Sequence, residues 1–247
     1  MPLRHLLLGL AVVVVWGTNF VVIRVALEQL PPLAFAALRF TLAFLPAALF
    51  IRRPAVRWRD LASYGVLIGA GQFGLLFIAM DGLISPGLAS LVVQAQVFFT
   101  IALAMAFRGE RVKPVQVLAL VMATLGISVI VAHGGGAATP LGLALVIAAA
   151  LSWAGGNHVA KASGVTDMLA FVVWSSMFAV PPLVLAALVL EGWQPIATAL
   201  AQATPATWGA VVWQSVGNSL FGYAAWGWLL ARHPAATITP LAMLVPV

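Results

Sequence analysis

Residues 6–27 read LLLGLAVVVVWGTNFVVIRVAL, preceded by Arg4-His5 and followed by Glu28. A hydrocarbon core about 30 Å thick takes roughly 20 apolar residues to cross as a helix, and this run has that length. Its polar interruption, Trp16-Gly17-Thr18-Asn19, falls near the middle of the run. A secretory signal has a shorter apolar region and a small-residue cleavage site, and the segment before Glu28 supplies neither, so a retained membrane helix is expected.

Outward from this segment the pattern recurs. Cutting the chain at its charge and turn clusters gives further apolar stretches at 33–51, 61–82, 87–107, 114–132, 141–160, 169–190, 207–231 and from 235 onward. Pro31-Pro32, Ser85-Pro86-Gly87, Gly134-Gly135-Gly136 with Pro140, and His233-Pro234 supply the breaks between them. Composition agrees, because 63% hydrophobic and 7% charged residues leave too little charge to cover a soluble surface of this size. The predicted fold class is an all-α polytopic membrane protein, with nine spans in the chain.

The bases order these spans. With Arg4 and His5 inside and sides alternating, the inside loops collect Arg52, Arg53, Arg57 and Arg59, then Arg108, Arg111 and Lys113, then Lys161, then Arg232. The outside loops hold Glu28, Asp81 and Glu191 and no Lys or Arg. This partition predicts a multi-pass protein of the bacterial inner membrane with a cytoplasmic amino terminus. The net charge of +6 then reports topology, since bases spread over four loops and a terminus form no stripe for nucleic acid. Cysteine is absent, which excludes disulfides, thiol catalysis and sulfur-bound metals. No cofactor or metal is expected, and nothing in the sequence requires more than a monomer.

An internal echo divides the chain. Trp16-Gly17-Thr18-Asn19 with Arg24 resembles Trp153-Ala154-Gly155-Gly156-Asn157 with Lys161, tryptophan and base lying eight apart in both. Five spans separate the copies, an odd number, so the copies run in opposite senses through the bilayer. Inverted repeats of this kind build many secondary transporters, with the solute site near the midplane between the halves. The predicted units are residues 1–136, with spans one to five, and 137–247, with spans six to nine.

Four segments carry a family resemblance: Val14 to Val21 (VVWGTNFV), Pro31 to Phe40 with its Leu-Arg-Phe ending, Gln94 to Thr100 (QAQVFFT), and Gly109-Glu110-Arg111. Together they resemble the drug/metabolite transporter superfamily, EamA family, and within it the bacterial exporters of amino acids and related metabolites. The resemblance implies ten helices in two inverted five-helix repeats, with helices one, three, four and eight lining the cavity. It also implies that the sequence stops inside the ninth helix.

Ionisable or strongly hydrogen-bonding side chains at membrane depth face protein or water. Asn19, Gln72, Gln96 and Asn218 fall near the middle of their spans. Trp16 and Asn19, Trp153 and Asn157, and Gln214 and Asn218 share helix faces at spacings of three or four. Gln94 and Gln96 diverge by about 200° on a regular helix, so one is expected to face the cavity and the other a neighbouring helix. The expectation is one central cavity holding Asn19, Gln96, Asn157 and Asn218, walled by Trp16, Trp153 and Trp213. Gln72, Gln94 and Gln214 are further candidates, and Asn157 lies nearer the inner face. The competing reading of each amide is an interhelical hydrogen bond, worth only about 0.6 kcal/mol in a membrane.

Trp58, Trp193 and Trp208 lie by loops as interface anchors, whereas Trp16, Trp153, Trp174 and Trp213 lie deeper. A deep indole either walls a cavity, stacking on an ammonium group, or simply packs. Arg24 is able to snorkel outward or to meet Glu28 four residues on. Arg39 is too deep for that. It either holds a solute carboxylate or ties helices together through backbone carbonyls, and the recurrence of a base in the family motif across different substrates favours the structural role.

No span carries a carboxylate at its centre, so proton coupling through Asp or Glu has no candidate there, and His158 is the one histidine within a span. Gly69-Ala70-Gly71, Gly155-Gly156, Pro181-Pro182 and Pro240 mark points for bending or close packing. An intramembrane hydrolase would need a nucleophile with its base, or a metal site, and no such motif occurs. A channel would show charge rings or a filter loop. A carrier exporting amino acids or related metabolites by alternating access accounts for amides, indoles and repeat together. A carrier of nucleotide sugars or drugs, or a passive channel, remains the alternative.

Overall fold

The computed structural model describes residues 1–109 and 138–246, together with 117, 118, 121, 122, 124–126, 128 and 129. The helices are α1 (Leu3–Leu27), α2 (Pro32–Ala48), α3 (Trp58–Met80), α4 (Pro86–Phe107), α5 (Pro140–Ala162), α6 (Met168–Leu190), α7 (Trp193–Gln202), α8 (205–232) and α9 (Ala235–Leu244). The described residues among 117–129 are helical as well. Proline opens α2, α4, α5 and α8, where its missing N–H costs nothing. The Ser85, Thr139 and Thr204 side chains cap α4, α5 and α8 by accepting from Leu88, Gly142 and Thr207 amides.

Eight predicted spans appear as helices, with ends displaced by a few residues. The fifth, 114–132, lies largely outside the described residues, as do Glu110, Arg111, Lys113 and Gly134 to Gly136. Five helices, α1, α3, α4, α5 and α6, are long and apolar enough to cross a bilayer, while α2 and α9 are apolar but shorter. Hydropathy passed over α7, because a ten-residue amphipathic helix is too short to span and only its Ile196 is buried.

Helix α3 lies between α5 and α6, α2 runs along α6, α1 along α8, and α4 along α5, with α9 against α1 and α4. The crossing of α3 and α6 is close because small residues face each other. A methyl built on Gly65 would lie 2.0 Å from the Ser175 carbonyl oxygen, and one on Gly69 would lie 2.2 Å from the Ala179 methyl. Backbones approach this closely in membranes when small residues recur every fourth position.

Side chains tie distant helix ends together. Glu191, at the end of α6, accepts from the Leu33 and Ala34 amides at 2.6 and 3.0 Å and so caps α2, which has no cap of its own. Gln29 likewise accepts from the Thr204 amide and the Thr207 hydroxyl at the start of α8. At the opposite end of the bundle, His5 and His233 are hydrogen-bonded at 2.8 Å, and Lys161 donates to the His233 carbonyl at 3.1 Å.

Burial pushes the Glu191 carboxyl above its ordinary range, more than the two amide donors lower it. The folded protein therefore holds this proton more tightly than the unfolded chain. Its contribution is complete below the ordinary carboxylate range and is lost as pH rises through the raised value. In detergent, Glu191→Gln is expected to flatten this part of the Tm-against-pH curve, and Glu191→Ala to cost about 1 kcal/mol. A wild-type curve with the opposite slope, absent from the Gln variant, would contradict this. Gly65→Val is expected to cost about 1–3 kcal/mol by forcing α3 from α6, read as a lowered Tm, with an unchanged Tm as the contrary result.

Candidate functional site

Where α1, α3, α4, α5, α8 and α9 meet, a cavity is lined by Trp16, Asn19, Phe20, Gln72, Phe73, Leu76, Val93, Gln94, Trp153, Asn218, Tyr223 and Val245. Its volume is about 20 Å³, room for about one water.

Local helix geometry delivers these side chains. Within α3 the turns at Leu67–Gly74, and within α8 those at Gln214–Tyr223, are wound as π-helix. Such segments recur at functional sites because they turn extra side chains inward. In α8 they bury Gln214 with Ser215, Asn218 with Ser219, and Gly222 with Tyr223. The Ser219 hydroxyl donates to the Gln214 carbonyl at 3.1 Å, spanning five residues. Gly222 leaves space for Trp16, whose indole nitrogen would sit 2.5 Å from a methyl there. Around Trp16, the rings of Trp153, Tyr223 and Trp226 lie at 5.0, 5.3 and 4.9 Å between centroids.

The amides are tied to one another. The Asn19 side-chain oxygen accepts from Gln214 and, at 3.0 Å, from Asn218, which also donates to Gln214 at 2.9 Å. The Tyr223 hydroxyl donates to the Gln72 oxygen at 2.8 Å, joining the two π segments. Gln94 donates to the Ser90 carbonyl of its own helix at 3.1 Å. After these bonds, four buried groups on lining residues have no protein partner: the indole N–H of Trp16 and of Trp153 as donors, and the side-chain oxygens of Gln94 and Asn218 as acceptors. Buried polar groups are nearly always bonded, so these four stand out, as do the unbonded Arg39 Nε and Nη1, Gln96 Nε2 and Trp226 Nε1 away from the cavity.

The single cavity expected from the sequence divides in two. Trp16, Asn19, Gln72, Gln94, Trp153 and Asn218 line the one just described. Gln96 and Asn157 do not: the Gln96 oxygen accepts from the Thr100 hydroxyl at 3.2 Å, and that hydroxyl accepts from Asn157 at 3.3 Å. Gln96 is two positions past Gln94 and so points to another side of α4, towards α5. Asn157 is one turn past Trp153, towards the end of the bundle that holds His5 and Lys161. It lines a separate cavity of about 10 Å³ with Thr100, His158 and Lys161.

Gln214 stands behind the first cavity, fully buried in the amide cluster. Trp213 is no wall: it is 39% exposed on the outside of α8, because the adjacent Gln214 points inward and neighbours on a helix diverge by about 100°. Trp174 donates to the Ile51 carbonyl at 3.0 Å, away from the cavity. Arg24 and Glu28 meet at 4.0 Å in an exposed pair. Sequence reasoning missed Tyr223 and Phe73. Tyr223 was findable, since the chain has only two tyrosines and a hydroxyl within an apolar span needs a partner.

Among the described residues no three His, Asp or Glu side chains gather as metal ligands. The fold is thus a helical bundle with a small, mostly apolar cavity that carries uncharged polar groups among its helices. The profile of the EamA-like transporter family matches residues 3–132. The chain belongs to that family, and so to a class of multi-pass membrane transporters.

Among its relatives are proteins of Salmonella typhimurium and Escherichia coli K12, each described as "Probable amino-acid metabolite efflux pump". Each is 39% identical over 97% of this chain and 82% of its own length. A Streptantibioticus cattleyicolor protein described as "Probable terminal-alkyne amino-acid exporter" is 28% identical over 95% of this chain and 79% of its own. A solved crystal structure, 21% identical, superposes with a TM-score of 0.68 over 100% of this chain and 85% of its own, which supports the fold.

Asn19→Ala strands donors on both Gln214 and Asn218, so a stability loss of about 1–3 kcal/mol is expected. Gln94→Ala breaks only one bond within its own helix and is expected to lower Tm far less. Thermal unfolding of the two variants side by side checks this, and an equal or reversed ranking would contradict it.

Proposed function

We propose that this protein exports amino acids or closely related small metabolites across the bacterial inner membrane by alternating access through the first cavity. The observation that carries the reading is the set of four unpaired groups. Two indole donors suit a carboxylate, two amide oxygens suit an ammonium group, and the aromatic wall accepts varied side chains. The descriptions of the three relatives point the same way.

At about 20 Å³ the cavity is far below the several hundred Å³ of an ordinary small-molecule site, so loading requires the helices to part. Rocking of unit 1–136 against unit 137–247 would do this, and the π segments of α3 and α8, joined by the Tyr223–Gln72 bond, lie on either side of the opening. The amino terminus is cytoplasmic in this reading, as the Lys and Arg partition requires. The buried interior offers no described carboxylate as a proton carrier, which favours export down the solute's own gradient.

Purified protein in liposomes is expected to show saturable exchange of labelled zwitterionic amino acids, insensitive to a pH gradient. Asn218→Ala is expected to reduce exchange about tenfold, the worth of about one lost hydrogen bond. Single cysteines at positions 57 and 82, placed in the cysteine-free chain and probed in oriented cell vesicles, would report orientation. Movement of nucleotide sugars but no amino acid, or flux that never saturates, would overturn the proposal.

A further inference from the structure

Arg39 is completely buried, yet its guanidinium makes one hydrogen bond, from Nη2 to the Ser219 hydroxyl at 2.6 Å. Nε and Nη1 have no partner. The ion pairs among the described residues join Arg24 to Glu28 and Arg57 and Arg59 to Asp60, so no carboxylate balances this charge. A purely structural arginine at this depth would spend its five donors on backbone carbonyls or an acid, and Arg39 does neither. Beyond Ser219 its support is the faces of Phe73 and Phe40, whose ring centres lie 3.7 and 4.8 Å from the guanidinium carbon, and a buried charge without a carboxylate is costly to keep.

Its surroundings join it to the cavity. The guanidinium carbon lies 3.7 Å from the centre of the Phe73 ring, and Phe73 lines the cavity. Ser219, its one hydrogen-bond partner, follows Asn218 in the π segment that also carries Tyr223. The positive charge is thus one aromatic ring removed from a space whose own polar groups are all neutral, in a region where water screens it little.

We infer that Arg39 is the specificity-determining residue that selects solutes bearing a carboxylate, acting past the Phe73 ring and meeting the carboxylate when the cavity widens. The inference rests on the first cavity being the solute site. It extends that reading by giving the solute's carboxylate a charged partner on the α2 side in addition to the two indole donors, and it predicts rejection of amines that lack an acid.

The test is competition in liposomes holding the full chain. Uptake of a labelled amino acid is challenged with the same amino acid unlabelled, with its methyl ester and with its decarboxylated amine. In the wild type the acid is expected to compete about tenfold or more better than either analogue, the discrimination expected from one hydrogen bond to a charged group. Arg39→Gln is expected to bring the ratio close to one, and Arg39→Lys, which keeps the charge but not the fork, to restore part of it. Phe73→Leu thins the layer over Arg39 and is expected to raise the ratio, which decides the matter should Arg39→Gln fail to fold.

A folded Arg39→Gln protein with the wild-type ratio, a Phe73→Leu ratio unchanged or lowered, or a wild type that accepts ester and amine as well as acid would each overturn the inference. A wild type that moves no amino acid at all would instead overturn the proposed function.

Discussion

A polar group inside hydrocarbon has no water to turn to, and that constraint organises this molecule. The backbone meets it by being helical. The side chains meet it by gathering: Asn19, Gln214 and Asn218 satisfy one another only because α1 and α8 lie side by side, and Tyr223 reaches Gln72 only because α8 faces α3. Where the accounting stops short, four of the unpaired groups, the indoles of Trp16 and Trp153 and the oxygens of Gln94 and Asn218, belong to residues that line one small space. A bundle selected for stability alone would have closed these gaps with apolar residues, since an unpaired buried group costs more than a missing one.

The same small space has room for about one water in this arrangement of the helices. Close packing sustains that arrangement at α3 and α6, where Gly65 and Gly69 bring two backbones together. Around the cavity both α3 and α8 leave regular α-helical winding. On α3 the close crossing and the irregular turns overlap at Gly69.

The helix ends follow a related rule. The first amides of a helix need acceptors, and α2 begins with two prolines and no side-chain cap of its own. Glu191 supplies the acceptors from the far end of the chain, and Gln29 does the same for the start of α8. These ties link segments more than 150 residues apart in sequence and hold the loops of one bundle end together, although neither partner has a pattern that announces the other.

The sequence by itself determined that the chain is a helical membrane protein, because apolar length and the spacing of turns are local properties that the bilayer reads directly. It also singled out the amides and indoles, since such groups at membrane depth demand an explanation wherever they occur. Their grouping was beyond it. A period of 3.6 residues is enough to set Trp213 and Gln214 on different faces, but it does not say which face meets α1 and which meets lipid. It separates Gln94 from Gln96 without saying which one the cavity keeps. The isolation of Arg39 was equally hidden, because the absence of a counter-charge is a statement about every helix packed around it. Those decisions belong to the tertiary structure, where contacts between residues far apart in the chain fix which polar groups are satisfied and which are left to face the cavity.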